Sequence, residues 1–417
     1  MGTFDAGPGE EIIEAETDRE IRLDAIGGVL LLSAAVAALV WANLDHAGYL
    51  AAFRIGTSFE ASSLRPPPSL LAWINDGAMT VFFFAIGLEL GREVTDGELS
   101  EGRSALAPLL AAAGGMAGAA LVYLAVAHNG VELKGYGIPM ATDVAFALAA
   151  LSVLGRRVPR SVKVFVLALA VADDFGSVVV LALGYSEGIS WGRLGVAVAA
   201  AGALAALRGR RVEASWPFVL AGIICWGALL GSGVEPILAG FLAGFAIVPG
   251  LRSHRIEHRL QPVVALLVLP VFALANAGVA LSAHEIVASG GGAVFAGVAA
   301  ARVAGKIGGI LLGAFVASRF LGARLPTGAG WRHLGGAAAM CGIGFTVPLL
   351  VTARAFGAYP LLASAARVGL YVGSVIAFLV GAAIFAASAR ASSRRFEQVD
   401  QATRAVGPAD DQGAGAD

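Results

Sequence analysis

Charge is scarce in this chain. Of its 417 residues, 14% are Asp, Glu, Lys or Arg, where a soluble domain carries about 25%. The 29 basic residues nearly balance the 30 acidic ones, and a formal net charge of −1 creates no field to draw in a polyanion. Cysteine is nearly missing too. Cys225 and Cys341 both lie in apolar runs, so neither a disulfide framework nor a metal cluster can be assembled from them. Composition thus excludes a secreted disulfide scaffold, a disordered chain and a nucleic-acid binder.

What fills the chain is apolar: 57% of residues, with a mean hydropathy of +0.77. A larger soluble core does not account for this, because soluble cores split into domains beyond about 250–300 residues. The chain reads as an integral, all-α polytopic protein of a lipid bilayer.

A spanning helix needs about 20 mostly apolar residues. Twelve segments qualify, near 25–44, 70–90, 105–127, 137–155, 161–185, 191–207, 215–232, 235–250, 260–282, 291–317, 333–353 and 363–389. They form one transmembrane domain over 25–389. Residues 1–24 are an acidic tail, unlike the basic-then-apolar pattern of a secretory signal. Residues 390–417 are polar and read as a disordered tail.

Loop charge sets the orientation. With both termini cytoplasmic, 21 Lys and Arg residues fall on the inner side, six on the outer side, and Arg302 and Lys306 within a span. The longest outer connection, 45–69, carries Pro66-Pro67-Pro68 and suits a short hairpin or irregular loop.

Ionisable residues inside spans cost about 2.5–3.5 kcal/mol each on insertion scales and are functional candidates. Asp173 and Asp174 stand at the midpoint of the fifth span, flanked by Ala, Val and Leu. That is about 15 Å from either surface. Helix neighbours point in different directions, so one acid can line a cavity while the other meets a neighbouring helix. Together they can hold a cation when ionised and protons when not.

The fourth span supplies Asp143, after Gly137, Pro139 and Thr142. This pattern fits a helix broken within the membrane or an ordinary start just inside the interface. The eleventh span contains Gly342, Gly344, Thr346 and Pro348, which weaken a helix or serve close packing. Two interrupted segments in corresponding halves point to an inverted-repeat transporter. Lys306, in the tenth span, needs a counter-charge, and the aspartate pair is the obvious one. Arg302, four residues earlier, shares its face or snorkels to the interface. Glu89, Arg92 and Glu93 end the second span, with Asp76 earlier in it, as a cytoplasmic funnel or an interfacial ion pair. Glu257 and His258 are read as loop charges before the ninth span.

These residues carry a resemblance. Ala141-Thr142-Asp143, Ala172-Asp173-Asp174, Gly87-Leu88-Glu89 with Arg92-Glu93, Leu269-Pro270 through Asn276-Ala277-Gly278, Gly305-Lys306 and Cys341 through Thr346 together resemble the bacterial NhaA-type sodium/proton antiporters. The match runs from about Arg22 to Ala389. The resemblance implies twelve helices, with two broken helices crossing near the bilayer centre. It implies Na⁺ or Li⁺ at Asp174 with Asp173 beside it, Lys306 paired with Asp173 when no cation is bound, and Thr142 next to the site. Asp143 and Lys306 would face the broken helix ends. Glu89, Arg92, Glu93 and Glu257, with Asp76 grouped beside them, would serve pH response. It further implies an inner-membrane protein without a cofactor, a role in pH homeostasis and salt tolerance, and a homodimer through 45–69. The chain departs from the family at Glu235 and Gln261, where His is common, and at Gly91, where a basic residue is common.

The expected activity is electrogenic exchange of one Na⁺ (or Li⁺) for two H⁺ by alternating access. A cation-coupled solute symporter is the alternative, though Ala, Val and Gly around Asp173 favour a bare cation. An intramembrane aspartyl protease would need its acids on two helices. A retinal protein would need seven spans.

Overall fold

The computed structural model describes residues 8–56, 69–95, 100, 102–154, 158–186, 188–279 and 291–405. Among the described residues, eight helices are long and apolar enough to cross a membrane. The other four expected spans are two short helices and two broken ones. In chain order the helices are α1 Pro8–Leu44, α2 His46–Phe53, α3 Leu70–Thr95, α4 Gly102–Val126, α5 Val144–Val153, α6 Arg160–Gly184, α7 Trp191–Gly209 and α8 Trp216–Leu230. They continue with α9 Ile237–Ala246, α10 at 251–276, α11 Gly291–Phe320, α12 Trp331–Met340, α13 Thr346–Phe356 and α14 Pro360–Ala405.

Three of these helices contain one π turn each: Ile74–Ala78 in α3, Val264–Val268 in α10 and Ala301–Gly305 in α11. A π turn adds a residue to the helical round and re-aims the side chains beyond it.

Two groups of helices emerge from the packing. In one, α3 lies on α9, α7 on α8, and α1 on α10. In the other, α4 lies on α11, and α14 on both α11 and α12. Glycine permits the closest approaches. A Cβ on Gly309 would stand 2.1 Å from the Gly114 carbonyl oxygen, and one on Gly244 would stand 2.1 Å from that of Phe84. With little hydrophobic drive between helices in lipid, such backbone contact is what holds them.

Two sequence expectations need correction. Glu257 and His258 lie in α10, not in a loop, because 251–263 has only Pro262 as a breaker and that sits near its end. The tail from 390 continues α14 to Ala405. That stretch has no Gly or Pro before Gly407, and its Ala, Arg, Glu and Gln are good helix formers. Segment 45–69 holds a helix, α2, and an antiparallel bridge between Gly56 and Ser69. Its Pro66–Pro68 run, residues 1–7 of the first tail and residues beyond 405 lie outside the described residues.

Candidate functional site

The fourth and eleventh expected spans are both broken. The fourth runs as a 3-10 turn, Gly130–Gly137, then a turn and irregular backbone over 138–143, then α5. The eleventh runs as α12, then a turn and irregular backbone over 341–345, then α13. The two non-helical stretches are stitched together. Asp143 N donates to the Ile343 carbonyl at 3.0 Å, and Thr142 Oγ1 donates to the Cys341 carbonyl at 2.9 Å. Freed backbone groups at membrane depth thus satisfy one another.

Asp143 sits where α5 and α13 both begin. Its Oδ1 accepts from Phe146 N at 3.4 Å, and its Oδ2 accepts from Thr346 N at 3.2 Å and Thr346 Oγ1 at 2.9 Å. One carboxylate therefore caps two helix starts, which carry partial positive charge. Two cations meet backbone carbonyls within the breaks. Lys306 Nζ donates to the Met140 carbonyl. Arg302 donates from Nε to the Gly342 carbonyl at 2.8 Å and from Nη2 to the Ala141 carbonyl at 3.2 Å. Arg302 is fully buried, so it does not snorkel.

The aspartate pair lies beside this crossing, on α6. Asp173 turns to α11, where its Oδ2 meets Lys306 Nζ at 2.5 Å, both side chains being wholly buried. Asp174 instead reaches the inner end of a cleft of about 230 Å³, together with Thr142, Asp143 and Thr346. The cleft leads out past Glu89, Arg92 and Glu257. Asp173 Oδ1, Asp174 Oδ1 and Ser177 Oγ are buried with no hydrogen-bond partner among the described residues. Oxygen ligands of this kind suit a hard cation.

At the mouth of the cleft, Arg92 lies 3.6 Å from Glu93 and 3.5 Å from Glu257. Of the residues grouped there from sequence, Asp76 is misplaced. It lies 13 residues before Glu89 in α3, about 20 Å along the axis, and belongs to the opposite end. There Arg354 on α13 pairs with both Asp76 and, at 2.7 Å, Glu235. These three border a second cavity of about 640 Å³ that also meets Lys134, Tyr136 and Tyr185.

Sequence reading brought Asp143, Thr142, Asp173, Asp174 and Lys306 to one place, and the structure gathers all five. It missed the partners of Arg302 and Arg354. Glu235 stood out only as a departure from the family, and nothing in its spacing pointed to a residue 119 positions away.

Residues 18–385 match the family model described as Na+/H+ antiporter 1. Among curated relatives, the Na(+)/H(+) antiporter NhaA of Serratia proteamaculans (strain 568) is 41% identical over 372 residues, covering 87% of this chain and 95% of that protein. The protein of the same name from Mesorhizobium japonicum is 41% identical over 379 residues, covering 87% and 92%. That from Shewanella sp. (strain ANA-3) is 42% identical over 372 residues, covering 86% and 94%.

Proposed function

Because the chain belongs to the Na+/H+ antiporter 1 family, we propose that it exports Na⁺ or Li⁺ across a bacterial inner membrane in exchange for protons, two H⁺ per cation, at Asp173 and Asp174. As a member of a transporter family it is not an enzyme and needs no cofactor; the ions are its cargo.

One observation carries the site assignment. Two adjacent buried carboxylates divide their work: Asp173 holds Lys306, and Asp174 ends a cleft with an oxygen that has no partner among the described residues. Protons and Na⁺ compete for these oxygens. When the site faces the cytoplasm, Na⁺ enters past Glu89 and Glu257 and protons leave to the water there. When it faces outward, protons return to the carboxylates and Na⁺ departs. The site changes sides by alternating access between the two helix groups. The cleft end at Glu89 is the cytoplasmic one, which agrees with the inner bias of Lys and Arg. Two protons for one Na⁺ moves one net charge inward per cycle, so the membrane potential drives export with about 2.3 kcal/mol per 100 mV. A homodimer through 45–69 belongs to the same proposal.

Everted membrane vesicles test the assignment directly. Adding Na⁺ should dissipate an imposed pH gradient with the native chain and not with Asp174→Asn. Exchange that survives in Asp174→Asn removes Asp174 from the site. A symporter would need an organic solute, so Na⁺ and a pH dye alone in proteoliposomes separate the two readings.

A further inference from the structure

Na⁺ and proton binding as described above leaves one fully buried charge without a task. Arg302 sits in the π turn Ala301–Gly305, four residues before Lys306. In a plain α-helix the two would share a face. The added residue re-aims them: Lys306 meets Asp173 and the Met140 carbonyl, and Arg302 meets the Gly342 and Ala141 carbonyls. The crossing is shaped around the guanidinium. A Cβ on Gly344 would lie 1.8 Å from Arg302 Nη2, so glycine at 344 leaves room for the arginine.

The buried charges beside the crossing are Asp143, Asp173 and Asp174 against Arg302 and Lys306, each at most 5% exposed. In their ordinary ionised forms these sum to one net negative charge, which one Na⁺ neutralises. Without Arg302 the sum would be two negative charges in a low-dielectric pocket, where attraction for a cation is strong. Arginine suits a fixed counter-charge because it stays protonated throughout. Its planar fork also reaches two carbonyls from one head group.

We propose that Arg302 is a positioning residue for exchange: it fastens backbone carbonyls of both broken segments and holds the site to one net negative charge, so that the bound Na⁺ can leave. This rests on the assignment of Asp173, Asp174 and Lys306 as the exchange site. Asp143 takes the helix starts, Arg302 takes the Ala141 and Gly342 carbonyls within the breaks, and Lys306 keeps its bond to Asp173.

The test compares Arg302→Gln, which keeps an N–H donor and loses the charge, with Arg302→Lys, which keeps the charge. Na⁺ is titrated calorimetrically into the detergent-purified full chain at alkaline pH, and turnover is measured as ²²Na⁺ exchange in proteoliposomes. Arg302→Gln should bind Na⁺ about tenfold more tightly and turn over about tenfold more slowly, roughly the effect of 1.4 kcal/mol. Arg302→Lys should restore both values toward the native ones. A residue that only packs would lower the thermal midpoint and leave affinity and turnover of the folded protein alone. A folded Arg302→Gln that binds Na⁺ no more tightly than the native chain overturns the proposal. So does an Arg302→Lys that behaves as Arg302→Gln. Should Arg302→Gln fail to fold, Arg302→Lys still decides, since a tenfold change in its affinity contradicts a role based on charge. Failure of the native chain itself to bind or exchange Na⁺ would instead remove the proposed function.

Discussion

Arg354 and Glu235 meet at 2.7 Å across the boundary between the two helix groups. Arg354 begins from α13, which packs on α14 of the second group, and Glu235 from the turn leading into α9 of the first. Asp76 of α3 joins the same guanidinium. At this end the three charges border the cavity of about 640 Å³, and the other end carries the cleft to Asp174.

The pair should show up in a double-mutant cycle. Glu235 is 5% exposed and Arg354 about a third exposed, which leaves the contact partly screened. Arg354→Gln strands a buried carboxylate and is expected to lower the thermal midpoint. Combining it with Glu235→Gln should recover part of the loss. Chemical denaturation in detergent should give a coupling of about 1–3 kcal/mol; additive losses would mean the pair does not hold the groups together.

Lys306 and Asp173 are wholly buried, so breaking their pair leaves a charge that water cannot reach. Asp173→Asn alone should cost about 3–5 kcal/mol. Asp173→Asn with Lys306→Met removes both charges and should be more stable than Asp173→Asn, while transporting no Na⁺. Thermal unfolding of the three purified proteins ranks them.

At the crossing, Asp143→Ala removes caps from α5 and α13 at once, at about 0.5–2 kcal/mol for each cap. Thr346→Val removes one hydroxyl donor to Asp143 and keeps the backbone bond, at about 1 kcal/mol. Thermal midpoints should therefore fall further for Asp143→Ala than for Thr346→Val. The reverse order would mean that the carboxylate is not the joint between the two helices.

Gly309 and Gly308 are adjacent and should differ sharply. Gly309→Ala places a Cβ 2.1 Å from the Gly114 oxygen, forcing α11 away from α4, whereas a Cβ at Gly308 meets nothing within 4 Å among the described residues. Gly309→Ala should lose stability and Na⁺/H⁺ exchange in vesicles, since α11 also carries Lys306. Gly308→Ala should match the native chain in both assays.

The spans were legible because length and hydropathy carry that information residue by residue. The breaks at 137–143 and 341–348 were legible as weak helix, since Gly and Pro act locally. The alternatives of a plain helix start or glycine packing could be separated only by contacts across about 200 residues, such as Thr142 to Cys341. Arg302 and Arg354 illustrate the limit. From sequence, Arg302 reads as sharing the Lys306 face or snorkelling, and Arg354 as one of the six outer-side charges; each finds its partners on segments distant in sequence, where periodicity has no reach. Asp76 was placed with its span-mates because sequence order groups them, although a helix separates its two ends by its whole length.

Asp143 serves two helix starts with one carboxylate. It cannot let go of α13 in favour of another partner without also disturbing α5, and Thr142 adds a second rivet beside it. The two broken segments are geared to a single axle. A substitution that displaces one broken segment is therefore expected to displace the other.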